Sequence, residues 1–429
     1  MAKSSTKKAS CQVLRVVAPA TVEIPLPLLA TLEDVERAFF GLCIETGKQV
    51  LRAMMEQDRV ALCGPAGRHD PVREAGRGGS TESSIVLGGR RIGLRRPRVR
   101  SRVDGELALA SFEAAAASDP LDRHTLEAIA AGVSMRRYHR SLEPLPPDER
   151  EQASSRSAVS RRFVALTEQR LAEAFSAPLG ELDLRVVMID GIVFRDHCVL
   201  LALGIDSDGR KHALGLREGS TESAGVAKAL LADLVERGLA TDRALLFVLD
   251  GSKGLRKAVQ QAFGALGRVQ RCQLHKERNV LDHLPKGGRP SVRRALRQAW
   301  QATDADLARR QLERLAASLE TEHPGAAASI REGLEETLTL QALGIEGALY
   351  RTLRSTNAIE NLNGSVADYT HHVKRWRSGS MIIRWVGAAV LEARKRFRCI
   401  RGHGDLPKLV AALRRHELNN GIHSEEKAA

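Results

Sequence analysis

The chain has 429 residues, enough for two or three domains. A hydrophobic fraction of 43% supports real cores, and a charged fraction of 28% excludes a membrane-embedded or low-complexity chain. The formal charge of +14 argues for a polyanionic partner, unless it is only a solvated Lys/Arg-rich surface; aromatics at 3% argue against reading unpaired bases mainly by stacking.

The N-terminal MAKSSTKKAS reads as a disordered basic arm without the apolar core of a secretory signal. Thr31 to Asp58 has helical periodicity with a Thr cap. Gly64 to Ser80, rich in Gly, Pro and Arg, reads as a loop or linker. Ile85 to Ser101 has the pattern of a hairpin around Gly88-Gly89 carrying six arginines. Such a strip either lies on phosphates or is a charged edge that resists aggregation. Leu121 to Leu142 reads as helix, Gly turn, helix, interrupted at Pro144, Pro146 and Pro147, and a further helix starts near Ser155. Helix-turn-helix proteins push the start of one helix into the major groove. Ser157, Ser160, Arg161 and Arg162 sit at such a start, with donors suited to phosphates and base edges. An ordinary helical hairpin has the same pattern.

From Leu184 the character changes. LRVVMIDGIVF, HCVLLALGID and KHALGLREG read as three strands, the last two joined by the turn Asp206-Ser207-Asp208-Gly209, whose aspartates read as turn formers. TESAGVAKALLADLVERG reads as an amphipathic helix with Thr221 as cap and Gly238 as stop. ALLFVLD is a fourth strand, GLRKAVQQAFG a helix, and RVQRCQLH a short fifth strand. The fold class is therefore α/β, a mixed sheet. After Lys276 the strands stop, and residues 277–350 are helical in composition. LRSTNAIENLNGSVADY opens another helix, and SMIIRWVGAAVLEARKRFR forms one that ends in Arg394, Lys395, Arg396 and Arg398, where cations suit a helix C-terminus. No run is long enough to span a bilayer.

Two of these strands stop at an acid followed by glycine, Asp190-Gly191 and Asp250-Gly251. An ionised carboxylate at the mouth of a buried strand is costly unless something positive sits there. Strand ends meeting at one site would hold a divalent cation, unless the two are turn or capping aspartates. A two-metal site needs carboxylates bridging cations roughly 4 Å apart. Glu360 is the candidate third acid. It reads equally as the partner of Asn357 in a capping box. The six cysteines, Cys11, Cys43, Cys63, Cys198, Cys272 and Cys399, contain no Cys-x-x-Cys pair. That spacing excludes a zinc ribbon and fits a reducing compartment.

The run from Val186 to Pro285 resembles the bacterial insertion-sequence transposases of the Mutator family. The matching pieces are DGIVFRDH, GIDSDGRKHALGLREGSTES, LLADLVERGL, FVLDGSKGLRKAV and QRCQLHKERNVLDHLPK. LRSTNAIENLN matches the segment holding that family's catalytic glutamate, and SSRSAVSRRF resembles its helix-turn-helix recognition segment. The resemblance implies a DDE transposase with an RNase H-like core interrupted by an all-α insertion. It implies that Asp190, Asp250 and Glu360 are catalytic and bind two Mg²⁺ (or Mn²⁺) ions. The expected division is a basic N-terminal region to residue 120, a DNA-binding region at 121–183, core segments at 184–276 and 351–400 flanking an insertion at 277–350, and a tail at 401–429.

The same resemblance implies double-stranded DNA as partner, both terminal inverted repeats and target, a homodimer or larger assembly on DNA, no membrane, and a cytoplasmic, nucleoid-associated location. The family's Cys-x-x-His signature is matched by Cys272 and His275. A zinc reading needs two more ligands, and neither His283 nor His197 has a convincing spacing; a structural or DNA-positioning role is preferred. Downstream of the glutamate the chain departs from the usual arginine-rich turn, but Lys374, Arg375, Trp376 and Arg377 keep a basic run with one aromatic interleaved, suited to a DNA strand end. The alternatives are a DNA-binding regulator with an inactive core and a structure-specific nuclease that never joins strands.

Overall fold

The computed structural model describes residues 32–67, 73–87, 90–101, 103, 105–117, 156–219 and 223–419. The paired helices expected over Leu121–Leu142, the Thr31 cap, the Gly88-Gly89 turn, Thr221 and the last ten residues lie outside them. The chain divides into two compact units, one holding the N-terminal elements and one holding nearly everything from Ser157 onward.

In the first unit, helix α1 (Leu32–Cys63) packs on a sheet of β1 (Ala75–Leu87), β2 (Arg90–Ser101) and β3 (Glu106–Leu107), followed by helix α2 (Ala110–Ala117). The Gly/Arg-rich stretch expected as a loop is strand from Ala75 onward. Its glycines are absorbed where the β1–β2 register shifts between Arg77 and Ser80, with Gly79 at φ +81°. Met55, Ile85, Leu94, Val99 and Leu109 form its core. Of the hairpin arginines, Arg96 and Arg98 pair with Glu106 and Arg95 with Glu82, at the surface.

Among the described residues, the second unit opens at Ser157 within helix α3 (Arg156–Phe175). It is built on a five-stranded sheet of β4 (Leu184–Phe194), β5 (His197–Asp206), β6 (Lys211–Gly219), β7 (Leu245–Leu249) and β8 (Gly267–Arg271), in the order β6-β5-β4-β7-β8. The three strands joined by tight turns are antiparallel, whereas β7 runs parallel to β4, and β8 to β7. The parallel pairs need crossovers. Helix α4 (Ala224–Glu236) supplies the first and helix α5 (Lys253–Phe263) the second. Ser223 caps α4, its hydroxyl accepting the Val226 N–H, and Gly238 at φ +99° ends that turn as expected. At the β5–β6 turn, Asp206 Oδ1 accepts the N–H groups of Asp208 and Arg210, which confirms Asp206 as a turn former.

Alternation along β4 fixes what each face meets. Val187 and Ile189 join Leu230, Leu234, Leu255 and Val259 of α4 and α5 in one core. Val186 and Met188 join the other core, with the helices that end the chain. The fifth strand is shorter than its sequence suggests. Cys272 caps helix α6 (Gln273–Asp282), so the last residues of RVQRCQLH are helical.

From α6 to Gly347 no strand occurs, as expected. Helices α7 (Arg289–Gln301), α8 (Ala305–Leu319) and α9 (Pro324–Arg331) enclose a separate core around Leu296, Trp300, Leu312 and Ile330, followed by the short helices α10 (Leu334–Thr337) and α11 (Thr339–Ala342). Helices α12 (Gly347–Leu353), α13 (Asn357–Thr370) and α14 (Gly379–Ala393) then return to the sheet. Residues read from sequence as the start of a tail form helix α15 (Leu406–Asn419). Leu406, Leu409 and Leu413 are fully buried in the sheet core, and the buried Glu417 carboxylate accepts the Ala244 N–H.

Candidate active site

Parallel register brings the two aspartates side by side. Ile189 of β4 stands opposite Leu249 of β7 in the last parallel pair; Asp190 is the next residue of β4, and Asp250 is the first residue beyond β7. Parity continues the Val186–Met188 face, so Asp190 lies on the side covered by α13. There Asn363 Nδ2 donates to Asp190 Oδ2 at 2.7 Å. Asp250 Oδ1 accepts the Ser252 N–H at 2.9 Å, while the cap of α5 is the Ser252 hydroxyl. Asp250 thus has a turn role for one oxygen, and helix capping falls to Ser252. The turn requires Gly251, at φ +113° and pressed against the Arg271 guanidinium. Arg271 is itself buried and held by the carbonyl and carboxylate of Glu332.

The capping-box reading of Glu360 fails. The residue that caps α13 is Thr356, one position earlier than that box requires, and no side chain closes the helix end. Glu360 instead stands half-buried on the first turn of α13, and its Oε1 accepts the Thr356 hydroxyl at 2.5 Å. Glu360 is close enough to Asp190 for its charge to be felt there. Burial first, then the negative charge of Asp250 and, more weakly, of Glu360 push the Asp190 carboxyl up to about 6, against the opposing Gly191 N–H and His275. Three carboxylates from β4, β7 and α13 therefore meet at one end of the parallel strands.

Cys272 and His275 lie beside them. The Cys272 N–H bonds the Leu249 carbonyl at 2.7 Å, so β8 ends level with the other two strands. Cys272 Sγ, a ring nitrogen of His275 and a Glu360 oxygen all lie within 4.8 Å of one another. Burial pushes the Cys272 thiol up, but hydrogen bonds from His275 and Thr356 outweigh it and hold the thiol below its usual range. The same bond to Cys272, with the charges of Glu360 and Asp250, raises His275. His283 and His197 take no part. His283 closes the end of α6 against Gly325, and His197 pairs with Glu218.

Thr356 and Asn363 were not singled out from the sequence. Their only signal was spacing, four residues before and three after Glu360 on a helix, which places all three on one face. The remaining residues stand apart from the acids. Ser157 and Arg161 are exposed and Ser160 half-buried on the first turns of α3; Arg162 lies on the same helix, its side chain outside the described set. Lys374, Arg375 and Arg377 are exposed between α13 and α14. Trp376 is half-buried, edge-on to Phe194 with ring centroids 4.8 Å apart, so its ring is partly committed to the core.

No helix among the described residues is long and apolar enough to cross a membrane. Residues 31–399 match the family described as Transposase, Mutator family. The chain is 30% identical over 350 residues to the transposase for insertion sequence element ISRM5 of Rhizobium meliloti, covering 80% of this chain and 85% of that one. It is 28% identical over 335 residues to the transposase for IS256 in transposon Tn4001 of Staphylococcus aureus, covering 75% and 81%. It is 32% identical over 250 residues to the transposase for IS6120 of Mycolicibacterium smegmatis, covering 57% and 75%. With a family match running through the sheet, the helical segment and the three acids alike, the chain belongs to the Mutator family of transposases.

Proposed function

We propose that this chain is a DDE transposase, cutting the ends of an insertion sequence and joining the freed 3′ ends to target DNA, with Asp190, Asp250 and Glu360 as its catalytic acids. The observation that carries the reading is the convergence of these three carboxylates, with Asp190 pushed to about 6 by burial and by its acidic neighbours. The sheet order, three antiparallel strands followed by two parallel ones, is the arrangement an RNase H-like core requires. We divide it into core segments 184–276 and 351–400 around the helical insertion 277–350, with α15 completing the core.

The donor set fits a pair of hard divalent cations. All three acids offer oxygen, which Mg²⁺ and Mn²⁺ prefer. Their mutual repulsion is what such cations relieve. Asn363 Oδ1, beside Asp190, is buried without a partner and is a further oxygen facing that need. Bound there, two ions supply Lewis-acid activation of a water or 3′-hydroxyl and neutralise the leaving oxygen. The protein holds the acids in register: Asn363 fixes Asp190, the Ser252 N–H fixes Asp250, and Thr356 fixes Glu360. Lys374, Arg375 and Arg377, on the loop leaving α13, and Arg161 and Arg162 on α3 neutralise duplex phosphates, and the hydroxyls of Ser157 and Ser160 donate hydrogen bonds to them. Two element ends are cut together, so the working form on DNA is a homodimer or larger.

The test is substitution. Asp190→Ala and Glu360→Gln are expected to abolish Mg²⁺-dependent cleavage of a labelled inverted-repeat end while leaving binding to that end within about twofold. Joining of a pre-cleaved end to a plasmid separates a transposase from a nuclease. Undiminished cleavage by either variant refutes the assignment, and a wild-type chain that binds ends but never cuts them is the regulator.

A further inference from the structure

We infer that Thr356 is the positioning residue for Glu360, and that the Cys-x-x-His pair is the anchor of Thr356 rather than a metal site. The inference rests on the catalytic reading of Glu360 and explains a motif that reading leaves idle.

Cys272 is the cap of α6 and His275 lies three residues on, so one turn of helix puts both side chains on the same side. The Gln273 N–H donates to the Arg354 carbonyl at 2.9 Å, which brings the start of α6 against the chain entering α13. Thr356 sits at that junction and is completely buried. Its Oγ1 is 2.5 Å from Glu360 Oε1, 3.4 Å from Cys272 Sγ and 3.4 Å from His275 Nδ1. A hydroxyl has one proton and two lone pairs. The shortest contact and the only full negative charge belong to Glu360, so the proton goes there. Cys272 Sγ and His275 Nδ1 stand against the same hydroxyl oxygen from the other side and hold Thr356 in place. His275 Nδ1 itself stands 3.9 Å from Glu360 Oε1, beyond hydrogen-bond reach, so its hold on the acid passes through Thr356. One carboxylate oxygen is thereby fixed and the other left for a cation.

The experiment compares full-length wild type with Thr356→Val, Thr356→Ser and Glu360→Gln. Mn²⁺ affinity is read directly by calorimetry, alongside the Mg²⁺ concentration giving half-maximal cleavage. A supporting partner of a metal-binding group is worth about tenfold in metal affinity. Thr356→Val is expected to weaken Mn²⁺ binding by about that factor and to raise the Mg²⁺ requirement equally, with DNA binding unchanged; Thr356→Ser is expected to restore both. Wild-type Mn²⁺ affinity in Thr356→Val overturns the inference, as does a serine variant no better than valine, which would mean that the methyl group matters. Should the valine variant not fold, Cys272→Ala and His275→Ala are expected to weaken Mn²⁺ binding by up to about tenfold, and wild-type affinity in both overturns it. Cobalt gives a second reading: a thiolate-to-Co²⁺ absorption band lost in Cys272→Ala would make the cluster a metal site and sink the anchor role. If Glu360→Gln cleaves normally, the catalytic reading fails whatever Thr356 does; if it is inactive and Thr356→Val is normal, only this inference fails.

Discussion

Asp190→Asn separates the electrostatics of the site from its chemistry. The carboxyl of Asp190 stands at about 6 instead of 3.8, through burial first and the charge of Asp250 second. The folded protein therefore holds this proton more tightly than the unfolded chain does. That contribution to stability is fully present below pH 3.8 and is lost as pH rises through about 6. Above that, an ionised Asp190 costs up to roughly 3 kcal/mol in a metal-free protein, at 1.36 kcal/mol for each pH unit between the two values. Asp190 is partly open to solvent, so about half of that is the realistic figure. Asparagine has the same shape, stays neutral, and still offers an oxygen to the Asn363 amide.

The expected result, in chelator at pH 8, is a melting transition for Asp190→Asn about 4 °C above wild type, at roughly 2–4 °C per kcal/mol for a unit of this size. At pH 4 the two should melt together. Added Mg²⁺ should stabilise wild type and close the gap, because only the intact acid set binds it. Cleavage by the variant should be absent throughout. Equal melting at pH 8, or a gap as large at pH 4 as at pH 8, refutes the claim that repulsion and burial at Asp190 set its proton affinity.

Three further outcomes follow from the packing and charge. Gly251→Ala should lower stability by about 2 kcal/mol, because φ +113° suits glycine and a Cβ would stand 2.5 Å from Arg271 Nε; a melt unchanged within a degree refutes it. Leu413→Ala, in the helix read from sequence as tail, should cost about 3 kcal/mol because its side chain is wholly buried; denaturant titration at a neutral effect would mean that α15 is not part of the core. Duplex binding should weaken linearly with the logarithm of salt, and replacing Lys374, Arg375 and Arg377 by alanine should reduce the slope by roughly 1 for each phosphate that is no longer neutralised. An unchanged slope removes this loop from the DNA surface.

The sheet was legible because burial on both faces imposes continuous apolar runs; Asp250-Gly251 closes β7 as the pattern suggests, whereas β4 runs on through Asp190-Gly191 to Phe194, still paired with β5. Errors gathered where tertiary packing decides. The Gly-rich start of β1 is strand only because β2 lies beside it. RVQRCQLH gives way to helix at Cys272 because the chain must turn back from Leu249 towards Arg354. The C-terminal segment reads as polar, yet every third or fourth residue of α15 from Leu406 to Leu413 is buried against the sheet. For the site, Asp190 and Asp250 carried a local signal and Glu360 only half of one, since its capping-box alternative turns on whether Thr356 or Asn357 starts the helix. Thr356 and Asn363 carry only their helical spacing from Glu360, because an uncharged side chain declares a role mainly through what it touches.

That last point changes what counts as the site. Thr356, Glu360 and Asn363 occupy successive turns of one face of α13. The first fixes the glutamate, and the last reaches across to Asp190 on the central strand. Ile359, Leu362 and Val366 on the adjoining face are buried against the sheet and fix the rotation of the helix. A change in that rotation would move Glu360 and release Asp190 together. The acids are thus set by the packing of a whole helix, and a cavity at Leu362 should loosen two of the three carboxylates although it touches neither. Leu362→Ala should therefore lower Mn²⁺ affinity as well as the melting temperature, whereas a cavity of similar size at Leu312, in the separate helical core, should lower only the latter. Equal effects of the two cavities on Mn²⁺ binding would show that the helix face does not act as a unit.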